Sequence, residues 1–385
     1  MQHNPLRIAI LGTRGIPNHY GGFEQLAQWL SRGLVQKGHT VFVYNSHKHP
    51  YQSAEWNGVQ IIHCYDPEYL IGMAGQFVYD VNCIIDARKR KLDILLVLGY
   101  TSSSVWGWLY PSAAVCINHM DGLEWKRSKY GWLTKIFLRY AEKLAIRFGN
   151  QFIADSVVIQ SYLTNRYHIN SRFIAYGADI LSGTVQKDQE SLHALAGTNG
   201  FSLVIARIEK ENNIEMILEG FHRSKVEENL VIAGSITTKL AVKLVKKYAA
   251  DKRIRFAGAL YDQERTAWLK THCRCYFHGH SVGGTNPSLL EAMAAGAFIC
   301  CHNNPFNRSV LGSDGFYFSS AEDVCDILEK KIPAELYSSF RENNLAKIRR
   351  VYQWEDVIAS YEQYMLESYR QQENKKSIEY AGCNR

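Results

Sequence analysis

Residues 7–30 read RIAILGTRGIPNHYGGFEQLAQWL. An apolar run follows Arg7 and closes on Gly12, and a glycine-rich turn comes next. Phe23, Leu26, Ala27, Leu30 and Leu34 then recur at i, i+3, i+4, i+7 and i+11, which predicts an amphipathic helix stopped near Gly38. Strand, glycine turn and helix in that order open a parallel sheet with helices on its faces. The same order returns at residues 275–293, CYFHGHSVGGTNPSLLEAM, where Pro287 suits the first turn of a helix.

Working outward, short apolar runs at 41–44, 59–63, 94–98, 115–117, 152–154 and 173–176 continue the alternation through the first half. Runs at 201–208, 230–233, 254–256, 276–277, 298–301 and 316–318 repeat it in the second. The expected fold class is α/β, with two doubly wound Rossmann-like domains facing each other across a cleft. Residues 1–183 and 184–352 form these domains, joined through a polar stretch from Ser182 to Gly200. Residues 353–370 read as a helix able to pack back on the first domain, and 371–385 as a frayed polar tail.

The 385 residues are 46% hydrophobic and 21% charged, with 28 Gly and 8 Pro, which excludes collagen-like, disordered and disulfide-scaffold classes. No apolar stretch approaches the roughly 18 residues of a membrane span. The start reads as a strand and not as a signal peptide, and the cysteine usage is the one expected of a cytoplasmic protein. Nine cysteines form no C-x-x-C pair and no zinc-like spacing; most sit in apolar runs, as buried reduced thiols would. The net charge of +7 is uneven: 18 Lys/Arg against 12 Asp/Glu through Gly183, and 26 against 25 thereafter. The basic first half points to an acidic ligand or surface. No recognition motif for nucleic acid accompanies it, so an anionic membrane surface is the better partner.

Three places carry chemistry. The first glycine cluster is neither G-x-G-x-x-G nor a P-loop, yet Gly21 and Gly22 at a helix start let an anion approach the backbone closely. A turn that serves packing alone is the alternative. In the second cluster, Gly283, Gly284, Thr285 and Asn286 precede a helix whose Glu291 can accept hydrogen bonds from ligand hydroxyls. His278 and His280 lack a third ligand at recognisable spacing, and no Asp-x-Asp occurs, so no metal is expected. Arg207, at the end of the run starting at Phe201, has the planar fork that suits a phosphate.

The strand-edge arginine, the Gly/Pro loop and the segment Leu290-Glu291-Ala292-Met293-Ala294-Ala295-Gly296 resemble the donor half of a GT-B glycosyltransferase of family 4. Gly12-Thr13-Arg14-Gly15-Ile16-Pro17, Tyr20-Gly21-Gly22-Phe23-Glu24, Asp121-Gly122-Leu123-Glu124-Trp125-Lys126-Arg127 and the loop from His278 to Pro287 resemble a bacterial rhamnosyltransferase-like subgroup. The likeness extends from about Ile8 to Asn307. It implies a nucleotide-sugar donor as substrate, no cofactor or required metal, a glycan or lipid-linked acceptor, and retention at the anomeric carbon. Rhamnose is suggested by the resemblance alone.

Carried over, Glu291 matches the second glutamate of E-x7-E and Arg207 the diphosphate-binding arginine. The first glutamate falls on Gly283, and the family's lysine falls on Asn212, which leaves Lys210 as the substitute cation. Arg207 and the amides of residues 283–285 would stabilise the departing diphosphate. His119 and Asp121, after a strand end, would orient or deprotonate the acceptor hydroxyl; loop hydrogen bonding is the alternative for each. A nucleotide-sugar epimerase of the same architecture and a non-catalytic nucleotide-sugar or membrane-binding protein remain open beside the transferase.

Lys126, Arg127, Lys129, Trp132, Lys135 and Arg139 begin a basic segment in which Leu133, Ile136, Phe137, Tyr140 and Leu144 share one helical face. Two readings stand level. The apolar face packs on the core with a solvated basic side, or it lies in an anionic bilayer interface, peripheral on the inner face of the plasma membrane.

Overall fold

The computed structural model describes residues 4–19, 21–120, 122–180, 189–260 and 262–383. The chain divides into two units, Met1–Trp125 with Gly131–Tyr176 and Trp354–Arg385, and Lys126–Tyr130 with Gly177–Gln353. The break at Tyr176 lies ahead of the expected boundary at 183/184, and part of the intervening stretch, 181–188, falls outside the described residues.

In the first unit the order is β1 (Arg7–Leu11), α1 (Gly22–Gln36), β2 (Thr40–Ser46), β3 (Glu55–Trp56), β4 (Val59–Cys64), α2 (Glu68–Ile71) and α3 (Gly75–Ala87). There follow β5 (Ile94–Leu98), β6 (Val115–Met120), α4 (Trp132–Phe148), β7 (Gln151–Ala154), α5 (Val157–Tyr167) and β8 (Arg172–Phe173). Among the described residues the strands make one sheet, β3-β4-β2-β1-β5-β6-β7-β8, parallel except at β3. Beyond Arg7, every residue of β1, β5 and β6 is buried, because helices cover both faces of the sheet.

The second unit runs α6 (Gln189–Ala196), β9 (Phe201–Ile205), α7 (Ile214–Arg223), β10 (Asn229–Ala233), α8 (Lys239–Lys247), β11 (Ile254–Gly258) and α9 (Gln263–His272). It continues with β12 (Cys275–His278), α10 (Pro287–Ala294), β13 (Ile299–His302), α11 (Pro305–Leu311), β14 (Phe316–Phe318), α12 (Ala321–Glu329) and α13 (Ala334–Lys347). Its sheet, β11-β10-β9-β12-β13-β14, is parallel throughout.

Three sequence expectations need correction. The linker contains α6, whose Leu192 and Ala196, one turn apart, are buried; two residues are too few to register as a period. The strand beginning at Phe201 stops at Ile205, leaving Arg207 in the loop. The polar tail is helical, since α14 (Trp354–Cys383) runs on, and Gln372 Nε2 donates to the Ala113 carbonyl at 3.2 Å. α14 belongs to the first unit for identifiable reasons. Trp354 stacks on Trp29 at 5.5 Å, Gly33 leaves room for Ile358, and Glu362 pairs with Lys37 at 3.0 Å and His39 at 3.1 Å. All eight cysteines with described side chains are free thiols.

Candidate functional site

In the second unit the chain order reverses at β9, which pairs with β10 on one side and β12 on the other. Such a switch point opens a crevice beyond the carboxyl ends of the strands. The loops after β9 and β12 therefore lie side by side. Arg207 is exposed two residues past β9, and its carbonyl accepts hydrogen bonds from Glu209 N at 2.8 Å and Asn212 Nδ2 at 2.7 Å. Asn213, at φ 49°, donates to the Gly279 carbonyl at 2.8 Å. Ser281 donates from N at 3.0 Å and from Oγ at 2.8 Å to the Glu211 carbonyl. A Cβ on Gly279 would fall 2.0 Å from the Asn212 oxygen, so only glycine permits this approach. Asn212 is thus a latch that shapes the Arg207 loop.

The His278 and His280 rings stack at 4.5 Å. Neither nitrogen of His278, nor Nδ1 of His280, nor either Glu211 carboxylate oxygen has a hydrogen-bond partner among the described residues. Buried polar groups are rarely left so, and a cluster of them marks a place where a ligand completes the bonding. Burial holds His278 far below its ordinary pKa. It pushes His280 to about 4, with Arg207 and Arg127 adding to the effect. Burial alone would raise the Glu209 carboxyl, but Arg207 and Lys129 hold it below the usual range.

Arg127 and Lys129, expected at a membrane surface, are found here instead. Arg127 lies 3.7 Å from Glu211, and Lys129 lies 3.5 Å from Glu209 and 3.8 Å from Glu211. Two carboxylates beside one crevice outcompete solvent for these cations. Periodicity along residues 125–147 could not reveal that.

At α10 the Asn286 side chain accepts from Ser288 N at 2.9 Å and caps the helix, with no acidic residue in the first turn. The positive end of the dipole is therefore left for an outside anion. Gly283, at φ 141°, has open space among the described residues where a side chain would point. Gly284 follows it, and Thr285 is buried. Glu291 pairs with Lys270 of α9, a buried lysine that the sequence reading passed over. Lys210 is exposed at the start of a single 3-10 turn. Among the described residues no group of three His, Cys, Asp or Glu could hold a metal ion.

The first unit has its own switch point at β1, between β2 and β5. Gly12, at φ 96°, would place a Cβ 2.1 Å from the Leu98 carbonyl oxygen. Asn45 clamps the turn, accepting from Ile16 N at 3.0 Å and donating to Ile16 O at 2.8 Å. The buried Glu24 carboxylate accepts from Arg14 N at 2.9 Å, in the first turn of α1. The helix start at Gly21 and Gly22 therefore already carries a carboxylate, unlike that of α10. His119 is fully buried in β6, against Phe23 at 5.4 Å and Tyr176 at 6.2 Å, with both ring nitrogens unpartnered among the described residues. Burial pushes its pKa down to about 4. Asp121 lies outside the described residues.

α4 buries Leu138, Ala141, Glu142 and Ala145. Glu142 accepts from the hydroxyls of Tyr162 at 2.8 Å, Tyr167 at 2.5 Å and Tyr100 at 3.3 Å. Trp132, Leu133, Ile136 and Tyr140 are 71%, 64%, 57% and 57% exposed. The core thus meets mainly another side of the helix, and of the expected apolar face only Phe137 and Leu144 are half-buried. The Arg139 guanidinium sits 4.2 Å over the Trp125 ring, and Lys135 is half-buried.

The chain is similar to sucrose-phosphate synthase of Thermosynechococcus elongatus, at 15% identity over 96% of this chain and 100% of that one, with a TM-score of 0.79. It is also similar to Anabaena HepE in complex with UDP and glucose, at 16% identity over 94% and 99%, with a TM-score of 0.71. The fold is that of the GT-B glycosyltransferases. Residues 185–342 of this GT-B chain match the family described as Glycosyl transferases group 1, and residues 6–179 match Domain of unknown function (DUF1972). Alpha-1,3/1,6-mannosyltransferase ALG2 of Candida glabrata is 22% identical over 245 residues, 57% of this chain and 53% of the relative. The match thus spans about half the length of that protein.

Proposed function

We propose that this protein transfers a sugar from a nucleoside diphosphate sugar to an acceptor hydroxyl, with the donor held by the second unit. One observation carries the reading. Arg207, the His278 ring and His280 Nδ1, without hydrogen-bond partners among the described residues, and the N-terminus of α10 with no acidic residue in its first turn converge at one switch point. A departing diphosphate gains negative charge as the sugar acquires oxocarbenium character. Fixed cations and N–H groups aimed at it lower the barrier without reorganising. Arg207 supplies the charge, the 283–285 amides and the helix dipole supply the rest, and Arg127, Lys129 or Lys210 replaces the family's lysine. Glu291 binds donor hydroxyls. This arrangement meets the diphosphate charge without a metal.

The first unit holds the acceptor. A histidine with a pKa near 4 is neutral at pH 7, so His119 hydrogen-bonds a hydroxyl instead of carrying charge, and Asp121 is the remaining candidate base. The finer reading is retention at the anomeric carbon, rhamnose as the sugar and a lipid-linked glycan as acceptor, with the protein peripheral on the cytoplasmic leaflet. Its support is the residue-level resemblance and the exposed apolar face of α4 between basic residues. Purified protein is incubated with nucleotide sugars, with and without lipid-linked acceptor and with EDTA. Acceptor-dependent release of nucleoside diphosphate that EDTA leaves intact is expected. Isomerised donor without release indicates the epimerase instead.

A further inference from the structure

We infer that the first unit enters a lipid interface through two apolar elements, the turn around α2 as well as the start of α4, so that attachment has a salt-resistant part. This rests on the membrane attachment proposed above and adds an element that the sequence pattern of residues 125–147 does not contain. Tyr69, Leu70, Ile71 and Met73 are 58%, 65%, 54% and 68% exposed. Four large apolar side chains in five residues, all outside the core, exceed the scattered exposure normal for a surface.

The two elements share one edge of the sheet. α2 follows β4 and α4 follows β6, strands that run parallel, so both connections leave from carboxyl ends. Phe77 of α3 joins them, its ring 5.7 Å from that of Phe137 on α4. The carbonyl of Phe77 is fixed by Trp106 Nε1 at 2.9 Å.

Charge selects the occupant. Within residues 131–147 the acidic residue is Glu142, buried among tyrosine hydroxyls, while Arg139, Lys143 and Arg147 are exposed. Near α2, Asp66 is buried and Glu68 is neutralised by Arg14 at 2.6 Å, whereas Lys48 stands 4.8 Å over the Tyr69 ring. Apolar side chains fringed by cations, without an exposed carboxylate in either segment, fit an anionic phospholipid surface.

The full-length protein is sedimented with phosphatidylcholine vesicles, with and without phosphatidylglycerol, at low salt and at about 1 M salt, where the Debye length is about 3 Å. The expected result is preference for phosphatidylglycerol and binding that survives high salt. Leu70→Ser with Met73→Ser, and separately Leu133→Ser with Ile136→Ser, should each lower the surviving binding about tenfold. Wild-type binding that vanishes at high salt, with the serine variants unaltered at low salt, overturns the inference and leaves electrostatic attachment standing. Absence of binding under every condition overturns both. Self-association in the absence of lipid that the serine variants abolish assigns the face to a second copy and overturns the lipid proposal.

Discussion

Glu291→Gln and Lys270→Met should be unequal in cost although they break the same ion pair. The Lys270 side chain is 3% exposed and that of Glu291 is 31%. Removing the carboxylate leaves an ammonium buried without a counter-charge, a defect that costs about 3–5 kcal/mol where it is complete. The glutamine carbonyl still accepts one hydrogen bond, so the lower end, about 3 kcal/mol, applies. Removing the ammonium leaves a carboxylate with access to water and a methionine of similar length in the stem's place, at about 1 kcal/mol or less. The difference of about 2 kcal/mol is roughly 30-fold in the unfolding constant. Urea unfolding of both single variants and the double variant measures it, and the double should resemble Lys270→Met alone. Equal costs, or a cheaper Glu291→Gln, would refute the reasoning. Donor affinity in Glu291→Gln is therefore best compared within the Lys270→Met background.

Arg207→Ala, at an exposed loop position, should leave the thermal midpoint unchanged and lower turnover roughly 10²–10³-fold; near wild-type turnover would remove Arg207 from the site. His119 and His280 are pushed from 6.5 to about 4, so they stay neutral in the folded chain while the unfolded chain protonates near 6.5. Their contribution is full above pH 6.5 and lost as pH falls towards 4, about 2 kcal/mol each at pH 5. A His119→Gln variant with an unchanged difference in urea midpoint between pH 7.5 and pH 5 would contradict this. Gly12→Ala, with φ 96° and a Cβ 2.1 Å from the Leu98 oxygen, should cost at least roughly 2 kcal/mol, read as a lowered urea midpoint.

The two strand–glycine–helix segments made the architecture legible because β1 and β12 are buried on both faces and Pro287 opens α10. The place of Arg207, just beyond a central strand, was legible for a related reason. Contacts between remote segments were not. Lys270 reaches Glu291 from another helix, and Arg127 and Lys129 are drawn to Glu209 and Glu211 by tertiary proximity that no periodicity encodes. Spacing grouped the apolar face of α4 but could not say which side meets the core. Ala141 and Ala145, small residues one turn apart beside Leu138, were the available sign of close packing. The α2 turn was missed because four exposed apolar residues spanning little more than one helical turn are too few to show a period.

The central claim is that the second unit binds the diphosphate of a sugar nucleotide through the Arg207 loop and the α10 N-terminus. Binding of nucleoside diphosphates and their sugars, titrated by calorimetry against wild type and Arg207→Ala, tests it most directly. Saturable binding that needs the diphosphate, is weakened at least tenfold in Arg207→Ala and is absent for the nucleoside alone is the predicted result. Equal binding by both proteins, or no binding of any sugar nucleotide by a folded wild type, would contradict the account.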